Sequence, residues 1–138
     1  MADIKNVFDI AARSMSAQMV RLNTVASNLA NSRSVASSEA EAYRAIKPVF
    51  KTIYADDLQK RGVATVDVVD IASIDRAPHK SYQPGHPKAD KDGYIYTAAV
   101  DTEEEMVEML EASRQYENNV EVISTLRGLM MRTINMGK

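Results

Sequence analysis

The sequence predicts a mainly α fold with a small β-containing middle (α+β). Long N- and C-terminal helices are expected to pair as an antiparallel coiled-coil-like hairpin. Three observations predict this. Apolar residues recur at steps of three and four at both ends of the chain. No Gly or Pro interrupts the first of these stretches, and Gly128 alone interrupts the second. Between them the pattern shortens toward period two and gathers the prolines. At 138 residues the chain has the length of one domain, and 45% hydrophobic with 26% charged residues suits a folded chain rather than a disordered one.

The first helix runs from Asp3 to about Asn31. Ile4, Phe8, Ala11, Met15, Leu22, Val25 and Leu29 form a heptad-like stripe broken only at Gln18. Val7, Ala12, Met19 and Ala26 lie beside it and widen the apolar face, and Lys5, Asp9, Arg13, Ser16, Asn23 and Ser27 occupy the opposite one. Such a helix is roughly 40 Å long. Asn and Ser then cluster, and residues 31–41 read as a loop.

Tyr43 to Tyr54 reads as a strand. Pro48 removes one ladder donor, which demands an edge position or a bulge. Asp56, Asp57 and Gly62 suggest a turn, and Val63 to Ile71 a second strand rich in β-branched residues. Ala77 to Gly93 holds Pro78, Pro84 and Pro87 and reads as a loop without regular structure. Asp92-Gly93 then turns the chain into a short strand, Tyr94 to Thr97.

The last helix runs from Thr102 to about Met136, roughly 50 Å. Thr102 and Glu105 fit a capping box, and the acidic run Glu103 to Glu105 suits the positive end of the helix dipole. Met106, Met109, Leu110, Tyr116, Val120, Ile123, Leu126, Met130 and Ile134 form one stripe. The methionines along this helix suit an adaptable interface.

Chemistry is sparsely signalled. The chain has no Cys, so it has no disulfide, thiolate metal site or Cys nucleophile. His79 and His86 lack a third ligand at a recognisable spacing. The glutamates Glu103, Glu104, Glu105, Glu108 and Glu111 read as a capped, solvated helix face rather than a catalytic pair. There is no Gly-x-Ser-x-Gly elbow and no Gly-rich phosphate loop. A net charge of −2 argues against a nucleic-acid binder. No cofactor, metal or catalytic residue is expected. No apolar run is long enough for membrane insertion. Met1 to Val7 lacks the basic and apolar regions of a cleaved secretory signal.

Two long amphipathic helices flank a middle too small to cover both, and even a hairpin leaves much apolar surface in water. Intersubunit packing is therefore expected. Three alternatives stand beside it: an intramolecular core, a helical adaptor binding a client helix, and a small enzyme.

Leu22 to Asn31, ending in Asn28-Leu29-Ala30-Asn31, resembles the N-terminal signature of bacterial flagellar rod and hook axial proteins. Tyr82-Gln83-Pro84-Gly85-His86-Pro87-Lys88-Ala89-Asp90, followed by Asp92-Gly93-Tyr94, resembles the proximal-rod members of that family. So do Glu104 to Met109, Ser113 to Val122 and Met130 to Ile134. The Ser/Ala-rich segment Ser32 to Glu41 departs from the shorter or Thr-Gly-containing turns frequent in the family.

The resemblance implies a structural subunit of the proximal rod, exported through the flagellar type III apparatus without a cleavable signal. It helps build the torque-transmitting drive shaft that crosses the periplasm within the basal body. It implies that residues 1–31 and 102–138 form the inner assembly domain and residues 32–101 the loop-rich middle. The implied partners are copies of itself, other rod proteins, the rod adapter protein, the MS ring and, in transit, the export apparatus. On the same resemblance Tyr82, Pro84, Gly85, His86, Pro87, Asp90, Gly93 and Tyr94 are expected to form an ordered contact loop. Because helix stability comes mainly from tertiary packing, the terminal helices are expected to complete their ordering on assembly.

Overall fold

The computed structural model describes residues 2–54 and 64–137, with side chains over 7–52 and 66–137. The expected turn at Asp56, Asp57 and Gly62, and the expected strand start at Val63, lie outside the described residues. So does the side chain of Ile4.

Among the described residues seven elements follow in order: helix α1 (Ala2–Asn31), strands β1 (Val35–Ala36), β2 (Ile46–Tyr54), β3 (Ala64–Ser73), β4 (His79–Tyr82) and β5 (Tyr94–Thr97), and helix α2 (Thr102–Met136). The helices are 30 and 35 residues long. α2 passes through Gly128 unbroken, because one glycine costs only about 1 kcal/mol against alanine.

The strands form two small sheets. β2 and β3 pair antiparallel from Ile46↔Ser73 to Tyr54↔Ala64. Beyond Pro48 the register shifts: Val49 faces Asp70 but Phe50 faces Val68, so Val69 bulges from β3. The proline thus has both devices expected of it, since a two-stranded sheet is all edge. This hairpin packs along α1, with Arg13 Nη1 donating to Asp67 Oδ2 at 2.8 Å.

The other sheet has the order β1-β5-β4, antiparallel throughout. It overturns two expectations. Residues 31–41 are not wholly loop, because Val35 and Ala36 pair with Thr97 and Tyr96. Residues 77–93 are not without regular structure, because His79 to Tyr82 pairs with Thr97 to Tyr94. Local composition signals loop at both places; pairing with β5 supplies the backbone partners that override it. Pro78 and Pro84 bracket β4 rather than interrupt it. The expected start of the first long strand at Tyr43 also moves, to Ile46. Tyr43 and Arg44 instead approach β5's continuation, where Ala99 N–H donates to the Tyr43 carbonyl at 2.9 Å.

The cap of α2 is a further correction. Asp101, not Thr102, is the cap: its Oδ1 accepts from the N–H groups of Glu103 (3.0 Å) and Glu104 (3.2 Å). Asp101 and Thr102 both precede a Glu by three residues, so spacing alone does not choose between them. Glu105 does not reach back; it is buried against α1.

Gly93 sits at φ +82, where a Cβ would lie 2.9 Å from Tyr82 Cε2 and 3.1 Å from Pro84 Cβ. Gly93→Ala therefore meets backbone strain and a clash together. It is expected to destabilise the chain by about 1–3 kcal/mol, read as a lower denaturation midpoint in urea.

Candidate functional site

The two helices meet antiparallel, as expected, but along a seam rotated from the predicted stripe. Three polar contacts mark it. Asn28 Nδ2 donates to Glu105 Oε1 at 3.0 Å. Arg21 Nε donates to Glu108 Oε2 at 2.8 Å, and its Nη2 also reaches Glu108 and Glu111. Asn119 Nδ2 donates to Ser14 Oγ at 2.9 Å. Ser14, Arg21 and Asn28 recur at heptad spacing, as do Glu105, Ala112 and Asn119, so one side of each helix returns to the seam.

Of the predicted N-terminal stripe, Ala11 and Val25 are buried, while Phe8, Met15, Leu22 and Leu29 are half-buried on its flank. The accompanying stripe of Val7, Ala12, Met19 and Ala26 faces solvent and does not widen the buried face. The single C-terminal stripe divides in two. Tyr116, Ile123, Leu126 and Met130 are half-buried, whereas Met106, Met109, Leu110, Val120 and Ile134 are exposed.

Asn28 is the hub of the site, 1% exposed at the end of α1. Its Nδ2 donates to the Ile46 carbonyl (2.9 Å) as well as to Glu105. Its Oδ1 accepts from Ile46 N–H (2.9 Å) and from Tyr43 Oη–H (3.0 Å). Two donors and two acceptor lone pairs are thus all used. One side chain ties both helices to the start of β2. The rest of the motif divides its roles. Leu29 is half-buried, Ala30 is exposed, and Asn31 Nδ2 donates to the Ser27 carbonyl at 2.8 Å, closing the last turn.

Glu105, 2% exposed, keeps Oε2 without a partner among the described residues. Burial pushes its carboxyl above the ordinary value, against the opposing pull of Asn28 and Lys47. Its neighbour Glu104 moves the other way, held low by hydrogen bonds from Lys47 Nζ (2.7 Å) and Arg76 Nη2 (3.1 Å). Glu105 lines a cleft of about 290 Å³ with Arg21, Val25, Lys47, Phe50 and Glu108.

A raised folded value means that the native state binds the proton more tightly than the unfolded chain does. The stability Glu105 adds is present at low pH and fades as pH rises from about 4. Glu105→Gln has no such proton to lose. Between pH 4 and 7 its urea stability is expected to fall less than that of the parent chain.

The Tyr82 to Tyr94 segment is ordered by its own contacts. Asp90 Oδ1 accepts from Asp92 N–H (2.9 Å) and Tyr94 N–H (2.8 Å). His86 Nδ1 accepts from Lys88 N–H at 3.1 Å. The Tyr82 and Tyr94 rings pack edge-on at 5.2 Å, with Lys80 Nζ 4.1 Å above Tyr94. Pro84, Gly85 and Pro87 are exposed on its outside. His79 and His86 belong to no group of metal-ligating side chains among the described residues.

The seam partners Ser14, Arg21, Glu105 and Asn119 are the residues that sequence reasoning missed. The heptad recurrence of polar residues beside the apolar stripe was the signal that points to them.

Residues 8–32 match the family described as flagella basal body rod protein, and residues 91–136 match the flagellar basal body rod FlgEFG protein C-terminal family. The hub straddles both segments, Asn28 in the first and Glu105 in the second. Among curated proteins, the chain is similar to the flagellar basal-body rod protein FlgC of Escherichia coli O157:H7, at 42% identity over 96% of this chain and 97% of that one. It is 40% identical to the FlgC of Salmonella typhimurium over the same shares, and 36% identical to that of Aquifex aeolicus over the whole of both chains.

Proposed function

The chain belongs to the flagellar basal-body rod protein family, whose place is the rod of the basal body, and from this premise we propose that it builds the proximal rod by packing its terminal helices against neighbouring subunits. The observation that carries this reading is an inverted distribution of size. Among the described residues, the buried apolar ones are Ala11, Ala17, Ala42, Ala45, Ala98, Ala99 and Ala112, with only Val25 and Ile95 larger. The large side chains lie outside: Met106, Val107, Leu110, Val122, Leu129 and Met131 are all exposed on α2. They spread over both flanks of the helix, and a helix apolar on several sides is built to be surrounded. One partner helix leaves such a surface wet; a ring of subunits covers it.

In this reading residues 1–31 and 102–138 form the inner, assembling layer, and residues 32–101 set position and spacing outside it. The contact loop from Tyr82 to Tyr94 is then a preformed surface for neighbouring rod proteins, the rod adapter or the MS ring. A core of alanines holds the monomer with little apolar area, so it unfolds at low cost for passage through the type III export channel. Docking then buries apolar side chains, and that burial offsets the entropy the helix ends lose on ordering.

Two experiments test the proposal. In a flagellated bacterium deleted for its own FlgC relative, this chain is expected to restore swimming and to co-purify with basal bodies. A chain that is expressed but stays out of the basal body overturns the reading. Limited proteolysis of the purified monomer is expected to trim the free ends of both helices and to stop near the Asn28–Glu105 hub, leaving the middle and the helix turns tied to it. A resistant full-length monomer would mean that the helices are satisfied within one chain, and would favour a soluble helical adaptor.

A further inference from the structure

We propose that the cleft beside the hub is a socket for one arginine side chain of a partner protein, its guanidinium on Glu105 and its stem against Val25, Pro48 and Phe50. The socket belongs to the single chain and needs no rod.

The charged groups around this cleft are committed to one another, with one exception. Arg21 of α1 donates to Glu108 and lies 3.5 Å from Glu111. Lys47 of β2 donates to Glu104 at 2.7 Å and lies 3.8 Å from Glu108. Arg76, between β3 and β4, donates to Glu104 as well. Tyr43 spends its hydroxyl on Asn28, and Asp101 is the cap of α2. Arg114 is nine residues beyond Glu105, half a revolution round the helix, and so stands on the opposite side of α2. The exception is Glu105. It lines the cleft at 2% exposure, and its Oε2 has no partner among the described residues.

The charges acting on Glu105 are one cation, Lys47, and two carboxylates, Glu104 and Glu108. An ionised Glu105 therefore lacks a positive partner, and a buried carboxylate without one is costly. Charge complementarity asks for a cation. The walls say which kind. Val25, Ile46, Pro48 and Phe50 are apolar, and the described residues hold no group of metal-ligating side chains. A cation carried on a methylene stem satisfies both ends of such a cleft. At about 290 Å³ it is at the small end of ligand pockets, with room for one long side chain. Guanidinium suits it better than ammonium. It is more weakly hydrated, it offers several donors in one plane, and it stacks on rings such as the half-covered Phe50.

Occupation and ionisation are linked. An arriving guanidinium displaces the proton that burial holds on Glu105, so the socket tightens as pH rises. The occupant thus returns to the hub the stability that ionisation of Glu105 withdraws.

The test is a titration of the purified full-length chain with n-propylguanidinium, the arginine side chain from Cβ outward. It is followed by NMR at fixed ionic strength, on the Asn28 side-chain amide, the Val25 methyls and the Phe50 ring. A saturable shift at these three groups is expected, about tenfold tighter at pH 7 than at pH 4. n-Propylammonium is expected to bind more weakly. Glu105→Gln, which keeps an acceptor for Asn28, is expected to weaken binding at pH 7 and to abolish its pH dependence. Phe50→Leu, at an exposed position, is expected to weaken binding about threefold with the pH dependence intact. Shifts that do not saturate, or that sodium chloride or n-propylammonium reproduces, overturn the proposal. So does parental binding by Glu105→Gln, or affinity that is the same at both pH values. The rod reading fails separately, when the chain does not enter the basal body, whatever this cleft binds.

Discussion

Asn28→Ala is expected to destabilise the chain by about 3 kcal/mol, a large part of the stability of a small domain. The substitution deletes four hydrogen bonds at once. It leaves behind the Ile46 N–H and carbonyl, the Tyr43 hydroxyl and the Glu105 carboxyl, with no replacement partner supplied. A buried polar group without a partner costs more than the bond was worth, because its water is already gone. Glu105 then loses the hydrogen bond that, with the charge of Lys47, favours its ionised form, and its proton affinity rises further. Urea denaturation checks the magnitude, and the loss is expected to be greater at pH 7 than at pH 4. Asn28→Asp keeps the shape but replaces the donor with a second carboxylate facing Glu105, so it is expected to fare no better near neutrality. A loss under about 1 kcal/mol for Asn28→Ala would show that the hub is peripheral to the fold.

The opposite pattern is expected at the uncovered face. Leu110 is 58% exposed and Leu129 53% exposed, on different flanks of α2. Leu110→Asp with Leu129→Asp is expected to change monomer stability by about 1 kcal/mol or less, mostly through lower helix propensity. If neighbouring subunits cover these positions, each new carboxylate must be desolvated without a partner, which costs several kcal/mol per contact. A rod repeats the contact many times. Swimming is therefore expected to be lost, with helix content by circular dichroism unchanged. Swimming at the parental level would mean that the exposed leucines face water in the rod as they do in the single chain.

Much of this architecture is legible in the sequence. The heptad steps from Phe8 to Leu29 and from Met106 to Ile134 locate both helices, and their position at the chain ends implies antiparallel pairing. Pro48 correctly demands an irregular or edge strand. The failures share a cause. β1 and β4 exist because β5 offers them backbone partners, and nothing within Val35–Ala36 or His79–Tyr82 announces a partner sixty or fifteen residues away. The true seam was hidden because periodicity ranks faces by apolar content, whereas the closest approach between these helices uses alanine and hydrogen-bonded polar residues. Asn28 read as a family signature and Glu105 as one of an acidic run. Only the fold shows that they are partners.

The two halves of the hub also lie far apart along the chain. Asn28 and Glu105 are separated by 77 residues, Ser14 and Asn119 by 105. Contacts of such separation close late, because a long loop must be drawn in before anything is gained. A chain emerging N-terminus first, from a ribosome or from a channel, presents α1 to its surroundings with its partner not yet delivered. Throughout that interval the half-made seam accepts whatever helix is nearby. If the chain is delivered and assembled as proposed, the nearest such helix at the growing end belongs to a subunit already in place, and the order of delivery itself then biases the first contact toward the structure being built.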